Sequence, residues 1–192
     1  MMGAAAFDHR RLMAGAADPF DALTQAFGGV LARFGIRGLS APALNRLLSR
    51  YFPGGAPAQF DAECPAPRTD EIEDMLLALL LAHRSDEREE TEWLACALAT
   101  ACMGDNHLWQ DMGLPNREAL SSLLRRHFTA LYNKNSGNMK WKKFFYKQLC
   151  EQAEIVVCKA PSCGVCTDYP VCFGPEEGDT PLPAVSGRAH AA

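Results

Sequence analysis

The sequence has no apolar run long enough to cross a membrane. The longest one, Met75 to Ala82, has eight residues, whereas a spanning helix needs about 20. Acidic residues precede it and an arginine follows it, which favours a buried helix. The apolar stretch after Arg10 and Arg11 is too short for an export signal, and Asp8 and Asp18 bracket it. We therefore expect a cytoplasmic protein without membrane contact.

The sequence also lacks a strong charge and any constellation of catalytic residues. Its net charge of −4 is mild, which argues against general nucleic-acid binding. No Ser–His–Asp set, phosphate loop or paired-carboxylate pattern is present. We therefore expect a protein that does not turn over a substrate.

Strand patterns of any length are missing, and helical patterns dominate. Apolar residues make up 48% of the chain, which is enough for one domain with its own core. The fold predicted is all-α, a single helical-bundle domain with a C-terminal cysteine-rich metal-cluster loop. We expect a flexible leader over 1–17, the helical domain over 18–155, the cluster-binding segment over 156–175 and a disordered tail over 176–192.

Polar residues ahead of the apolar repeats predict where the helices begin. Ser40 and Asn116 each precede such a repeat and are expected to cap a helix, as is Asp18 before Pro19. Asp70 with Glu73 has the spacing of a capping box, and Asp86 with Glu89 repeats it. Asn138 is expected to cap the last helix, and residues 54–68 are expected to form a proline-rich loop.

Four of the eight cysteines stand together as C-x4-C-x2-C-x5-C, namely Cys158, Cys163, Cys166 and Cys172. Thiolates are soft ligands that select zinc, copper(I) or iron–sulfur centres. The C-x4-C-x2-C opening matches plant-type [2Fe–2S] ferredoxins, although their fourth cysteine lies far downstream. Structural zinc sites favour two short knuckles separated by a longer span. The spacing favours an iron–sulfur cluster and leaves zinc open.

The other cysteines lie outside this motif. Cys96 and Cys102 fall on one predicted helix at a spacing that keeps them on different faces, and core burial is the simpler interpretation. Cys150 ends the helix before the motif, and Cys64 lies in the proline-rich loop.

All six lysines lie between positions 134 and 159. The helix that carries Lys140, Lys143 and Lys147 has an aromatic face and a cationic face. These lysines are candidates to contact an oxyanion or an acidic partner, and the alternative is a solvated surface. His107, in a turn between two acidic residues, is a candidate extra metal ligand or a histidine hydrogen-bonded at a helix end.

Three stretches resemble one family, the nitrogen-fixation protein family NifQ. They are GDNHLWQDMGLPNREALSSLLRRHF, MKWKKFFYKQLCE and CKAPSCGVCTDYPVCFGPE. The resemblance is strongest from about Gly104 to Glu176, and the C-x4-C-x2-C-x5-C motif that identifies the family is complete.

The resemblance implies an iron–sulfur protein that carries a molybdenum–iron–sulfur cluster. It implies a role in supplying molybdenum for the iron–molybdenum cofactor of nitrogenase. The partners implied are a source of molybdenum such as molybdate, the cofactor assembly scaffold and the nitrogenase iron protein. Two alternatives stay open from the residues alone, a small iron–sulfur electron-transfer protein and a zinc-stapled helical adaptor.

Overall fold

The computed structural model describes residues 7–55, 70–154, 165–167 and 169–176. These residues form ten helices and no strand, which confirms the all-α class. The helices are α1 (His9–Ala14), α2 (Ala22–Arg33), α3 (Ala41–Tyr51), α4 (Glu71–Ala82), α5 (Glu89–Cys102), α6 (Leu108–Asp111), α7 (Arg117–His127), α8 (Thr129–Lys134), α9 (Trp141–Gln152) and α10 (Tyr169–Phe173). Within these ranges no helix combines the length and apolar character that crossing a membrane requires.

Helix α5 is the centre of the fold. Every residue from Trp93 to Cys102 is buried, so this helix is covered around its whole circumference. It packs against α2, α3, α4 and α6. Each large apolar side chain buried around it, such as Phe27 or Phe52, stabilises the fold by about 1.5–3 kcal/mol.

Residues 9–14, within the segment 1–17 that we expected to be a flexible leader, form helix α1. The Asp8 carboxylate accepts a 2.8 Å hydrogen bond from the backbone N–H of Arg11 and so caps the helix. Leu12 is 1% exposed in the core, and α1 packs against α2. One buried leucine and one cap are enough to order a helix that the Ala/Gly-rich composition concealed. Residues 1–6 lie outside the described ranges.

The helix starts that depend on neighbouring residues are confirmed. The Ser40 hydroxyl accepts from Ala43 N–H at 3.3 Å, and the Asn116 side chain accepts from Ala119 N–H at 2.9 Å. Asp70 caps α4 as predicted, by accepting from the N–H of Ile72 at 2.8 Å.

Other predicted starts are wrong. Helix α2 begins after Asp21, whose carboxylate accepts from Thr24 N–H at 2.9 Å, and Asp18 accepts from Phe20 N–H instead. Asp86 does not cap α5, which begins after Arg88 without a side-chain cap. In each case the predicted cap lies in a turn, and the helix begins two or three residues later than predicted.

Glu73 and Asn138 also take roles that differ from the predicted caps. The Glu73 side chain is fully buried, where its carboxylate pairs with Arg37 Nε at 3.0 Å and accepts from the Thr100 hydroxyl at 2.9 Å. Asn138 adopts a left-handed backbone conformation with φ 56°, and α9 begins only after Lys140. Both residues bind partners that are distant in sequence.

Helix α9 connects the core to the cysteine-rich region. Its aromatic face is buried through Trp141, Phe144 and Phe145, and it packs against α4. Tyr132 of α8 stacks on Trp141 with ring centroids 6.1 Å apart. This packing confirms the predicted aromatic face of α9. Most of the proline-rich loop, from residue 56, and the tail from residue 177 lie outside the described residues.

Candidate metal centre and its surroundings

Two of the four motif cysteines, Cys166 and Cys172, belong to the described residues, and both are half-buried and without a disulfide. The other two, Cys158 and Cys163, lie outside them. Cys172 sits on α10 and packs against the core. Its carbonyl oxygen accepts a 2.8 Å hydrogen bond from the backbone N–H of Lys140. One candidate ligand is therefore attached to the start of α9.

Glu176 holds the chain just after the motif onto the helical domain. It is only 5% exposed. Its carboxylate accepts from Trp109 Nε1 at 2.7 Å and from Arg117 Nη1 at 2.8 Å. We call this group, Glu176 with Trp109 and Arg117, the Glu176 clasp. Glu176 is the first residue of the predicted tail, and the rest of that tail, from residue 177, lies outside the described residues.

The Arg117 guanidinium also organises the turn that precedes α9. Its Nη2 donates to the Asn138 carbonyl at 3.1 Å, to the Asn138 side-chain oxygen at 3.0 Å and to the Met139 carbonyl at 2.8 Å. Asn135 adds two 2.8 Å bonds to the backbone of Met139. One buried cation thus fixes both the approach to α9 and the end of the cysteine segment. Charge-assisted bonds of this kind are the stronger ones in proteins.

A cavity of about 390 Å³ opens between the start of α9, the segment before α6 and α10. We call it the lysine cavity. Its lining includes Lys140, Lys143, His107, Val171 and Glu176. The structure therefore brings two of the three predicted lysines together with the predicted histidine, beside the residue that precedes Cys172.

Lys147, the third predicted lysine, lies elsewhere. It lines a separate cavity of about 350 Å³ together with Lys134 and Phe173. Its ammonium lies 3.5 Å from the Glu151 carboxylate, one turn further along α9. The cationic face of α9 is thus divided between two cavities.

Lys142 also lines the lysine cavity, but its charge is used within the fold. Its Nζ donates to the Asp111 carboxylate at 2.6 Å and to the Gly104 carbonyl at 2.7 Å. Asp111 is fully buried and also accepts from the Asn106 amide at 2.9 Å. A side chain at position 104 would meet the Asp111 carboxylate at 2.5 Å, so this site requires glycine.

His107 is the residue that immediately precedes α6. Its backbone N–H donates to Gln110 Oε1 at 3.1 Å, and its Nδ1 lies 3.8 Å from Glu176 Oε1. Within the described part of the chain, no three His, Cys, Asp or Glu side chains are grouped to hold a metal ion. The extra-ligand role of His107 therefore stays a prediction.

Two thiols outside the motif are buried, as expected from the sequence. Cys96 and Cys102 both lie within α5, and burial raises the pKa of the Cys102 thiol to about 12. Such a thiol stays protonated and is a poor metal ligand at neutral pH. Cys150 is half-buried in α9, and Cys64 lies outside the described residues.

Sequence patterns did not reveal the residues of the Glu176 clasp or the Asp111–Lys142 pair. Trp109 is buried, and its indole N–H needs a partner there, but the sequence does not indicate which one. Glu176 had no distinguishing signal, because it stands in a stretch of Pro, Gly and acidic residues. Arg117 stood in the first turn of a predicted helix, where a cation is unusual, and that was a usable hint.

A profile of the family described as NifQ matches residues 22–174. A protein of Azotobacter vinelandii described as "Protein NifQ" is 50% identical over 109 residues, which cover 57% of this chain and 55% of that protein. A protein of Rhodobacter capsulatus with the same description is 36% identical over 149 residues, 78% of this chain and 80% of the relative. "Protein NifQ homolog" of Sinorhizobium fredii is 38% identical over 160 residues, 79% of this chain and 67% of the relative.

This chain therefore spans little more than half of the Azotobacter protein. No solved structure matches it.

Proposed function

The chain belongs to the NifQ family of nitrogen-fixation proteins, and from this premise we propose that it is a carrier of molybdenum for nitrogenase. In this proposal Cys158, Cys163, Cys166 and Cys172 hold an iron–sulfur cluster, and molybdenum is the cargo loaded onto it. The protein donates the molybdenum for the iron–molybdenum cofactor. It acts as a carrier and not as an enzyme that turns over a substrate.

The observation that carries the proposal is the fixed position of Cys172. The Lys140 N–H binds its carbonyl oxygen, and the Glu176 clasp holds the chain four residues later. A ligand that is positioned by the protein reduces the ordering required when a metal binds. The half-buried thiols of Cys166 and Cys172 are soft donors that suit iron, sulfide-bridged clusters and molybdenum alike.

The bound cluster would supply the sulfur-rich environment in which molybdenum is held. The protein's own residues hold Cys172 against the start of α9, and Lys140 and Lys143 line the cavity beside it. The proposed partners are molybdate or another molybdenum source, the cofactor assembly scaffold and the nitrogenase iron protein. The place of action proposed is the cytoplasm.

Elemental analysis of anaerobically purified protein tests this proposal. We expect iron and sulfide together with molybdenum after growth with molybdate. Iron alone would support the electron-transfer alternative. One tightly bound zinc without iron would support the helical adaptor and would refute the carrier.

The cysteine motif is tested with a matched pair of variants. Cys172→Ala should lose the iron, because it removes one of four ligands. Cys150→Ala, in α9 outside the motif, should keep it. Equal iron contents in the two variants would show that the motif does not hold the cluster. Helical circular dichroism should persist in Cys172→Ala, because the core of the bundle is built from other residues.

A further inference from the structure

We propose that the lysine cavity is a binding site for a tetrahedral oxyanion, separate from the four cysteines. This inference rests on the proposed function only in naming molybdate as the anion that the site takes. The site itself follows from the charge, the donors and the position of the cavity.

The first argument is the uncompensated charge of the cavity. Three lysines line it, but Lys142 is paired with Asp111 at 2.6 Å. The carboxylate of Glu176 is likewise neutralised, by Arg117 at 2.8 Å. No ion pair with a described carboxylate is seen for Lys140 or Lys143. Since Asp105 offsets one of these charges at most, the cavity remains positive.

The second argument is the placement of these lysines on α9. Lys140 is the residue that precedes the helix, and Lys142 and Lys143 follow in its first turn, which contains no acidic residue. Among the described residues, no side chain caps the backbone N–H groups at this end of α9. A helix start carries a partial positive charge. This charge repels the lysines that stand there, and a bound anion would offset the repulsion. The partial charge of the twelve-residue helix and the charges of its lysines thus both favour a bound anion.

The third argument is the set of hydrogen-bonding groups that the cavity offers. The ammonium groups of Lys140 and Lys143 only donate, and the His107 imidazole adds a ring nitrogen. The lining also carries acceptors on Asp105, Asn106, Gln110 and Glu176. The Glu176 carboxylate accepts from Trp109 and Arg117, and Gln110 Oε1 accepts from His107 N–H. An oxyanion only accepts, so it complements the two lysine ammonium groups. A metal cation does not, since the described residues contain no group of three His, Cys, Asp or Glu suited to one. A volume of about 390 Å³ accommodates an oxyanion with some of its water, which occupies about 30 Å³ per molecule.

The fourth argument is the position of the cavity relative to the motif. Val171 lines the cavity and is exposed, and the next residue is Cys172. The Lys140 side chain lines the cavity while its backbone N–H binds the Cys172 carbonyl. An anion bound in the cavity would therefore lie next to the cysteine segment, at a site separate from the thiol ligands. The cavity therefore serves as the receiving site for the cargo.

Equilibrium dialysis of cluster-free full-length protein with molybdate tests this inference. Wild-type protein should bind molybdate saturably, and tungstate should compete. The double variant Lys140→Met with Lys143→Met should bind about tenfold more weakly or worse, because it loses two charge-assisted contacts. Lys147→Met is the matched control, since Lys147 lines the separate cavity, and its affinity should stay within about twofold of wild type.

Sulfate and phosphate arms of the same experiment establish which anion the site prefers. If sulfate competes as well as molybdate, the site is a general oxyanion site and the assignment to molybdate is wrong. Equal molybdate affinity in the double variant and in Lys147→Met would overturn the inference, as would the absence of saturable binding to folded wild-type protein.

The carrier function and the oxyanion site can be refuted independently of each other. Lysine-independent molybdate binding with normal iron content would refute the oxyanion site and leave the carrier standing. Lysine-dependent molybdate binding in a protein that never acquires iron would do the reverse.

Discussion

The carboxylate of Glu176 and the guanidinium of Arg117 lie 2.8 Å apart, almost fully buried, and join the end of the cysteine segment to the start of α7. Removing the charge with Glu176→Gln leaves Arg117 without its counterion. Breaking a buried pair in this way costs about 3 kcal/mol or more of folding free energy. We expect the free energy of unfolding to fall by that amount in denaturant titrations.

The same variant should loosen α10. Amide hydrogen exchange at Lys140 reports this directly, because that N–H binds the Cys172 carbonyl, and we expect its exchange to accelerate. Glu87→Gln is the control, since the Glu87 side chain is 88% exposed and should change neither measurement. Unchanged Lys140 exchange in Glu176→Gln would show that the clasp does not position Cys172.

Lys143 should destabilise the metal-free and anion-free protein. It is exposed in the first turn of α9, where the partial positive charge of the helix repels a cation. Lys143→Glu replaces this repulsion by attraction and should raise the free energy of unfolding by about 0.5–1 kcal/mol. The gain should shrink in high salt because exposed charges are screened. If Lys143→Glu instead lowered the free energy of unfolding at low salt, Lys143 would not be repelled by the start of α9.

Cysteine alkylation should distinguish the motif thiols Cys166 and Cys172 from the core thiol Cys102 by their reactivity. In metal-free protein at pH 8, Cys166 and Cys172 should react with iodoacetamide within minutes, because both are half-buried near the surface. Cys102 should remain unmodified, since burial raises its pKa to about 12. Peptide mass spectrometry distinguishes these sites. Cluster-loaded protein should protect Cys166 and Cys172, and equal labelling with and without the cluster would argue against their role as ligands.

His127 should make the fold sensitive to mild acid. Its Nδ1 lies 2.8 Å from the Thr91 hydroxyl, which donates to Asp86, so Nδ1 carries the proton. Its Nε2 is buried and has no hydrogen-bond partner among the residues that the structure describes. Burial, then the Arg126 charge, lowers the pKa of His127, with Arg88 adding to this effect and Asp86 and Glu90 opposing it.

The sign of the resulting pH dependence follows from proton binding. The unfolded chain binds a proton at this histidine near pH 6.5, whereas the folded state binds it only at lower pH. The stabilisation is therefore complete above pH 6.5 and is lost progressively as the pH falls below that value. His127→Gln should flatten the decline in denaturant titrations between pH 7 and 5, and His83→Gln should not. A decline of the same slope in His127→Gln would assign it to other groups.

The sequence predicts those parts of the fold that depend on neighbours in the chain. The Asn116 cap acts over three residues, so the local pattern is sufficient to find it. Asn138 resembles a cap as well, but Arg117, 21 residues earlier, binds its side chain and its carbonyl and places it before the helix. A local pattern cannot weigh that competing contact.

The sequence indicates which residue types the candidate site contains, but not how they are arranged. The cysteine spacing and the lysine distribution identify which residue types are available. They cannot indicate that Lys142 is neutralised by Asp111 or that Lys147 lies in a different cavity, because both depend on how α6 and α10 pack against α9. Glu176 shows the limit clearly, since only the folded arrangement brings it to Trp109 and Arg117.

The confinement of all six lysines to positions 134–159 has a practical consequence for every binding experiment. Amine-reactive dyes, biotin esters and sensor-chip couplings have few targets besides these side chains and the chain's own amino terminus. Such reagents would modify Lys140 and Lys143 and cover the entrance to the lysine cavity. Coupling through an added terminal tag leaves these lysines unmodified. If a partner protein binds the tag-coupled chain but not the lysine-coupled chain, the partner covers the region that contains Lys140 and Lys143.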